Sequence, residues 1–284
     1  MVQNLNNNDN ITIESNKKWK LKQNRRELTP LEKHWKNIAL IIMGIFLLLF
    51  VGQILFYSIF YSFSDWVGIL IVFIVLVMPA YLSNAGMLIM GGGKPIDGGR
   101  VAKDGRPLFG PGKTWRGFIL GPLVWGIIIG LLIHSIFFYT WEQIEQFIVS
   151  LFSNPNNSYK FIKRPPQEAV DLFKLYLLGG YSYENYAQCL FRLIFRVICV
   201  SYATATGDLV KSYLKRRLNI DRGQPFWIID QIDFLIFVLI VAIPFVDLNI
   251  DYFAIVIFSL IFTPSLTIFA NGLTYLLGHK SVPW

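Results

Sequence analysis

Cysteine and charge are both scarce in this chain. Two cysteines in 284 residues, Cys189 and Cys199, exclude a disulfide framework. Both fall in or beside an apolar run and read as packing residues. Charged residues make up 15 %, against about 25 % in soluble domains. That is too few to cover a water-soluble surface of this size. No secretory signal is evident, because a long polar stretch precedes the first apolar run and that run is too long for an h-region. What is abundant is apolar: 54 % of residues are hydrophobic and 16 % aromatic. This balance excludes disorder and coiled coil and marks a polytopic membrane protein. The net charge of +8 then reports orientation in the membrane, and no nucleic-acid partner is expected.

A span needs roughly 20 apolar residues to cross a ~30 Å hydrocarbon core. Six runs qualify, at 37–61, 66–90, 117–139, 189–206, 232–249 and 252–276. The fourth is the weakest, since it contains Arg192 and Arg196. Lys and Arg crowd the N-terminal segment, the connection 91–116 and the connection 207–231, and are missing from 62–65 and from the link near Asp247 and Asp251. Alternate sides are therefore rich and poor in positive charge. The expected fold is an all-α polytopic membrane protein of about six transmembrane helices, with both termini and two functional loops cytoplasmic. Residues 1–36 read as a basic, disordered tail that meets anionic membrane lipids. Residues 37–65 form an extra N-terminal span, and 66–284 form the main membrane domain with an external insertion at 140–188. Within that insertion 168–183 reads as an interfacial helix, and Asn156-Asn157-Ser158 is a formal glycosylation sequon. Arg192 and Arg196 lie at the outer end of a span, where snorkelling to the interface is expected.

The chemistry concentrates in the two inner loops. The first holds Gly91-Gly92-Gly93-Lys94-Pro95-Ile96-Asp97-Gly98-Gly99-Arg100, then Asp104-Gly105-Arg106, then Gly110-Pro111-Gly112-Lys113-Thr114-Trp115-Arg116-Gly117. Glycines allow close backbone approach and positive φ, and the interleaved Lys and Arg suit a triphosphate. A Walker A loop is excluded, because Pro107 stands where its first Gly belongs and no strand precedes it. The second loop runs from Gly207-Asp208 through Lys211-Ser212 and Lys215-Arg216-Arg217 to Asp230-Gln231-Ile232-Asp233. Asp230 and Asp233 share one helical face and repel unless a cation sits between them. Capping accounts for Asp208 and Asp230 at span ends but not for Asp233 at the start of an apolar helix. Three hard oxygen ligands at one membrane depth suit Mg²⁺, which bridges substrate phosphates.

These residues resemble the archaeal CDP-archaeol synthases, relatives of the CDP-diacylglycerol synthases. The resemblance rests on Pro79 to Ala85, Pro95-Ile96-Asp97-Gly98-Gly99, Asp104 to Gly110, Gly112 to Phe118, Gly207 to Ser212 with Lys215-Arg216-Arg217, and Asp230 to Phe234. Asn271 to Tyr275 and Val282-Pro283-Trp284 complete it. It covers about 67–139 and 189–284, leaving out the first span and the insertion; Gly98 departs from the pattern, in which a bulkier residue can follow Pro-Ile-Asp. The resemblance implies transfer of CMP from CTP to an isoprenoid ether-lipid phosphate, 2,3-bis-O-geranylgeranyl-glycerol 1-phosphate, with Mg²⁺. It places Asp208, Asp230, Asp233 and Lys113 at the catalytic centre, the three aspartates as metal ligands. Asn84, Asp97, Asp104, Arg106, Thr114, Arg116, Lys211, Ser212, Lys215, Arg216 and Arg217 would bind substrate. The alternatives are a CDP-diacylglycerol synthase acting on phosphatidic acid and a membrane transporter. Transport is disfavoured because the ionisable groups gather at one interface rather than mid-membrane.

Overall fold

The computed structural model describes residues 27–153, 165–180, 185–246, 250–277 and 280–284. Eight α-helices occur among them: α1 Pro30–Phe60, α2 Phe63–Ile89, α3 Trp115–Tyr139, α4 Trp141–Phe152, α5 Pro166–Leu178, α6 Tyr186–Arg217, α7 Ile229–Ala242 and α8 Ile250–Leu276. Five of these, α1, α2, α3, α6 and α8, are long and apolar enough to cross a membrane. No β-sheet forms among the described residues.

The sixth expected span is shorter than its apolar run. Helix α7 has 14 residues, about 21 Å at 1.5 Å per residue, and gives way to a 3₁₀ turn, Ile243–Phe245, at Pro244. The fourth span is longer than expected. α6 has 32 residues, about 48 Å, so the stretch from Gly207 to Arg217 is helix rather than loop. Asp208 is accordingly a mid-helix residue and caps nothing. The first span also begins before residue 37. Thr29 caps α1, its hydroxyl accepting from Glu32 N while Glu32 reaches back to Thr29 N at 2.9 Å, and Pro30 fills the first position. The sequon and residues 1–26 lie outside the described residues.

Helices α2 and α3 pack almost backbone to backbone. A Cβ on Gly126 would collide with Ser83 Oγ, and one on Gly121 would sit 2.6 Å from Met87 N. Small residues at such crossings are how membrane helices gain van der Waals contact where lipid gives no hydrophobic drive. The middle of α3, Gly121–Ile129, widens into π-type turns, which are frequent at functional sites. This close crossing holds Ile89 and Trp115, the two ends of the glycine-rich loop, side by side.

Two expectations for the stretch 168–196 are corrected. Helix α5 does not lie along an interface: Ala169, Val170, Leu172, Phe173, Leu175 and Tyr176 are all buried, against α2, α3, α4 and α6. Arg196 does not snorkel. It is 2 % exposed and donates to the carbonyls of Leu175, at 3.1 Å, and Tyr176. Leu175 O also accepts from Gly179 N at 3.2 Å, where α5 ends, so the guanidinium adds charged donors to a helix C-terminus and is itself satisfied. Arg192 is exposed.

Candidate active site

The glycine-rich loop between α2 and α3 is ordered by one carboxylate. Asp97 is buried and accepts from Gly99 N at 3.0 Å, Phe109 N at 3.1 Å and Gly110 N at 2.9 Å. Burial works to raise its pKa, but these backbone donors outweigh it and hold the carboxyl below its ordinary value. Gly98, at φ +58°, makes the turn that lets the chain fold back over Asp97, and its missing Cβ faces open space. The departure at Gly98 is thus a matter of backbone conformation. Further out, Asp104 accepts from Arg106 N at 3.1 Å and from Arg217 Nη1 at 2.7 Å. Arg217 also donates to the carbonyls of Pro107 at 2.8 Å and Arg106 at 3.3 Å. The loop is therefore tied to the end of α6. Asp97, Asp104 and Arg217, expected as substrate ligands, are bonded within this tie. Arg106 lies 3.5 Å from Asp221, and Arg216 donates to Ile220 O at 2.6 Å.

Beside the loop lies a cavity of about 560 Å³. Gly91, Gly92 and Gly93 wall one side, and Asn84, Lys113, Thr114, Asp208 and Arg222 supply its polar groups. The cradle brings backbone close to any ligand, as phosphate sites require. Thr114 also caps α3, accepting from Gly117 N at 3.3 Å. Arg116 is exposed and stands apart from the residues that line this cavity. The Ser212 hydroxyl donates to Asp208 O at 2.8 Å inside α6, so its proton is directed into the helix.

The wall of the cavity at Asp208 opens onto a cluster of alternating charge. Lys113 Nζ bonds Asp208. Lys211 Nζ sits 3.4 Å from Asp208, 2.7 Å from Asp233 and 3.9 Å from Asp230. Lys215 Nζ reaches Asp230 at 3.1 Å and Gln224 O at 2.8 Å, and Phe226 N donates to Asp230 at 2.7 Å. Three ammoniums thus neutralise three carboxylates, and the cation the repelling aspartates require is Lys211. A loop over 207–217 would give Lys211 no such central place; on the helix that forms there, Asp208, Lys211 and Lys215 share one face. Arg222 and the triple glycine were likewise not assigned to the site. Among the described residues no group of three or more His, Cys, Asp or Glu is gathered closely enough to hold a metal. The donor set nonetheless suits a hard divalent cation, being all carboxylate, and Asp233 Oδ1 is buried with no hydrogen-bond partner.

A glycine-walled cavity and a neutralised Asp–Lys cluster thus lie together at one end of the helical bundle of a polytopic membrane protein. The family model "CarS-like: CDP-archaeol synthase" matches residues 66–154 and 172–284. The chain belongs to the CDP-archaeol synthase family, and is thereby a CTP-using cytidylyltransferase of membrane-lipid biosynthesis. The CDP-archaeol synthase of Thermococcus kodakarensis is 36 % identical over 208 residues, covering 73 % of this chain and 92 % of its own length. That of Methanocorpusculum labreanum is 33 % identical over 220 residues, covering 73 % and 99 %. A solved structure described as an intramembrane enzyme for archaeal membrane lipids biosynthesis is 24 % identical, with a TM-score of 0.42, covering 70 % of this chain and 91 % of that one.

Proposed function

We propose that the chain transfers CMP from CTP to the phosphate of an isoprenoid ether lipid, 2,3-bis-O-geranylgeranyl-glycerol 1-phosphate, releasing pyrophosphate. An oxygen of the lipid phosphate attacks the α-phosphorus of CTP, and the bond from that phosphorus to the bridging oxygen of the β-phosphate breaks. The attacking oxygen is already an anion, so no strong general base is needed. The protein's task is to position two polyanions and neutralise their charge. The single observation that carries this reading is the interleaved Asp–Lys cluster forming the wall of the glycine-lined cavity.

In this reading the triphosphate lies against Gly91–Gly93, with Lys113 and Arg222 as its cations and Asn84 and Thr114 as hydrogen-bonding groups. Asp208, Asp230 and Asp233 keep the ammoniums of Lys113, Lys211 and Lys215 aimed and hydrogen-bonded until phosphate oxygens replace them. The same three carboxylates would hold Mg²⁺. When bound, the metal supplies further neutralisation of charge on the triphosphate. The Lys- and Arg-rich end of the bundle, where the cavity opens, faces the cytoplasm by the positive-inside rule, and CTP is found there.

The test is product formation from labelled CTP by the purified chain, with geranylgeranylglycerol phosphate and phosphatidic acid as parallel acceptors. The ether lipid should give CDP-lipid, and Asp233→Asn or chelation of divalent metal should abolish it. Preference for phosphatidic acid would move the chain to the diacylglycerol reaction. No product with either acceptor, CTP still binding, would sink the reading.

A further inference from the structure

The segment 221–224 carries Arg222 to the glycine-walled cavity, and it is a turn held from two sides. Gln224 N donates to Asp221 O at 3.2 Å, and Asp221 N donates to Gln224 Oε1 at 2.8 Å. Gly223 stands at the third position with φ +85°, the left-handed conformation that glycine supplies there. Arg222 is the second residue of this turn. Its guanidinium lies over the glycine-rich loop, where a Cβ on Gly112 would stand 3.8 Å from Arg222 Cζ. Among the described residues that guanidinium makes no hydrogen bond or ion pair. Its place at the cavity is therefore set by the backbone of the turn.

The two carbonyls that follow Arg222 fix that backbone. Gln224 O accepts at 2.8 Å from Lys215 Nζ, a member of the Asp–Lys cluster. Gly223 O accepts from Trp284 Nε1 at 3.0 Å. Trp284 is held in turn at two points. Its carbonyl accepts from Lys280 Nζ at 3.2 Å, and the same ammonium donates to Asn271 Oδ1 on α8 at 2.8 Å. Its ring meets that of Trp35, near the start of α1, edge to face with 5.8 Å between centroids. Lys36, the next residue of α1, has its Nζ 5.7 Å from the centre of the Tyr275 ring on α8. The start of α1 is thereby seated on the same helix that anchors Trp284.

We infer that Trp284 is a positioning residue for the nucleotide: its indole N–H holds the 221–224 turn so that Arg222 faces the triphosphate, and Trp35 of α1 holds the indole. The inference rests on the proposed cytidylyl transfer, in which Arg222 is a triphosphate cation, and adds what places that cation. A turn that had to be ordered only when the nucleotide arrived would lower its affinity, and ordering it beforehand removes that loss. An indole suits the task because it has a single donor at the edge of a rigid plane. Clamping the plane fixes the direction of the N–H. Helix α1 lies outside the family match, whereas Arg222 and Trp284 lie within it. The extra helix thus acts on the nucleotide site without lining its cavity.

The experiment uses the full chain in nanodiscs, with labelled CTP and geranylgeranylglycerol phosphate varied in turn. Trp284→Phe keeps a ring against Trp35 and removes the donor. It should raise KM for CTP about fivefold, the equivalent of one net hydrogen bond, and leave kcat, the lipid KM and the unfolding midpoint at their wild-type values. Trp35→Ala should raise the CTP KM about threefold, and Trp35→Phe, which restores an edge-to-face partner, should return it to within about twofold of wild type. Arg222→Gln should itself raise the CTP KM about tenfold, as loss of a charged donor does. In that background Trp284→Phe should add less than about twofold, because the two residues act as one unit. An unaltered CTP KM in Trp284→Phe, equal losses in kcat and in both KM values, or full additivity with Arg222→Gln would overturn the inference. Should Trp284→Phe not fold, the Trp35 pair carries the same test, and no difference between Trp35→Ala and Trp35→Phe would overturn it. An unaltered CTP KM in Arg222→Gln would bring down the nucleotide reading of that residue as well, whereas a loss there with none in Trp284→Phe would overturn only the placement. Should the wild type make no CDP-lipid, the transfer reading falls, and the Kd for CTP in the same variants decides the placement by itself.

Discussion

Helix α6 carries two cations, one buried and one half-buried, that are stabilised in opposite ways. Arg196, in the N-terminal half of the helix, is held by the main-chain carbonyls of Leu175 and Tyr176. Lys211, toward the other end, lies among the side chains of Asp208, Asp230 and Asp233. Carbonyls at a helix terminus are fixed in space and carry only partial charge, so the arginine docks α5 and stays. Carboxylates on flexible side chains carry full charges that a phosphate or a metal can compete for. A buried cation with backbone partners is built for structure, and one with exchangeable partners for chemistry.

Four substitutions sharpen or break that contrast. Replacing Lys211 by Met leaves three carboxylates facing one another and should lower CDP-lipid formation by two to three orders of magnitude, about the loss seen when one transition-state donor is removed. Turnover per folded molecule within threefold of wild type would place the chemistry elsewhere. Arg196→Met should instead act on stability. It removes the buried charged donors to the Leu175 and Tyr176 carbonyls at the end of α5 and should cost about 2 kcal/mol in denaturant titration, in the range of roughly 1.5–3 kcal/mol for a hydrogen bond to a charged group. Turnover per folded molecule should hardly change; a large loss in kcat without destabilisation would break the comparison. Arg217→Ala cuts the exposed tie between the loop and α6. Because one partner, Asp104, is well exposed, less than about 1 kcal/mol of stability should be lost, with KM for CTP rising severalfold.

The smallest effect concerns pH. The carboxyl of Asp97 titrates below its ordinary value of 3.8 when folded, so its contribution is present above that pH. It is lost as pH falls through the folded value. Tryptic cleavage after Arg100 or Lys103, sampled by brief exposure to acid and return to neutrality, should be unchanged by exposure above about pH 4 and should rise after exposure below it. Asp97→Asn should cleave readily after any exposure. Equal resistance in the variant would show that the loop does not depend on this carboxylate.

Much of the bundle was legible in the chain because lipid imposes a length and a polarity that local sequence must meet. The runs that became α1, α2, α3, α6 and α8 stand out for that reason, and the family motifs located both sides of the site. The ends were less legible. Residues 207–217 look like a charged connection, but α6 continues through them because Asp208, Lys211 and Lys215 lie on one face and find opposite charges there. Pro244 shortened α7 below its apolar run. The apolar pattern of 168–183 fits a surface helix or a buried one equally, and only the packing of α5 against its neighbours, with Arg196 on Leu175 and Tyr176, distinguishes them.

The sequence by itself determined that this is a helical membrane protein of the CDP-archaeol synthase family, and which residue types gather at one end. The tertiary structure decided which charge faces which. It made Asp97 an organiser of the loop, gave Lys211 the place among the aspartates, and set α1 beside α8. The physical reason is range. Hydrophobic length and charge asymmetry sum over many residues and survive in the linear pattern, whereas the energy of an ion pair turns on a few ångströms and on local burial, which only the packed chain fixes.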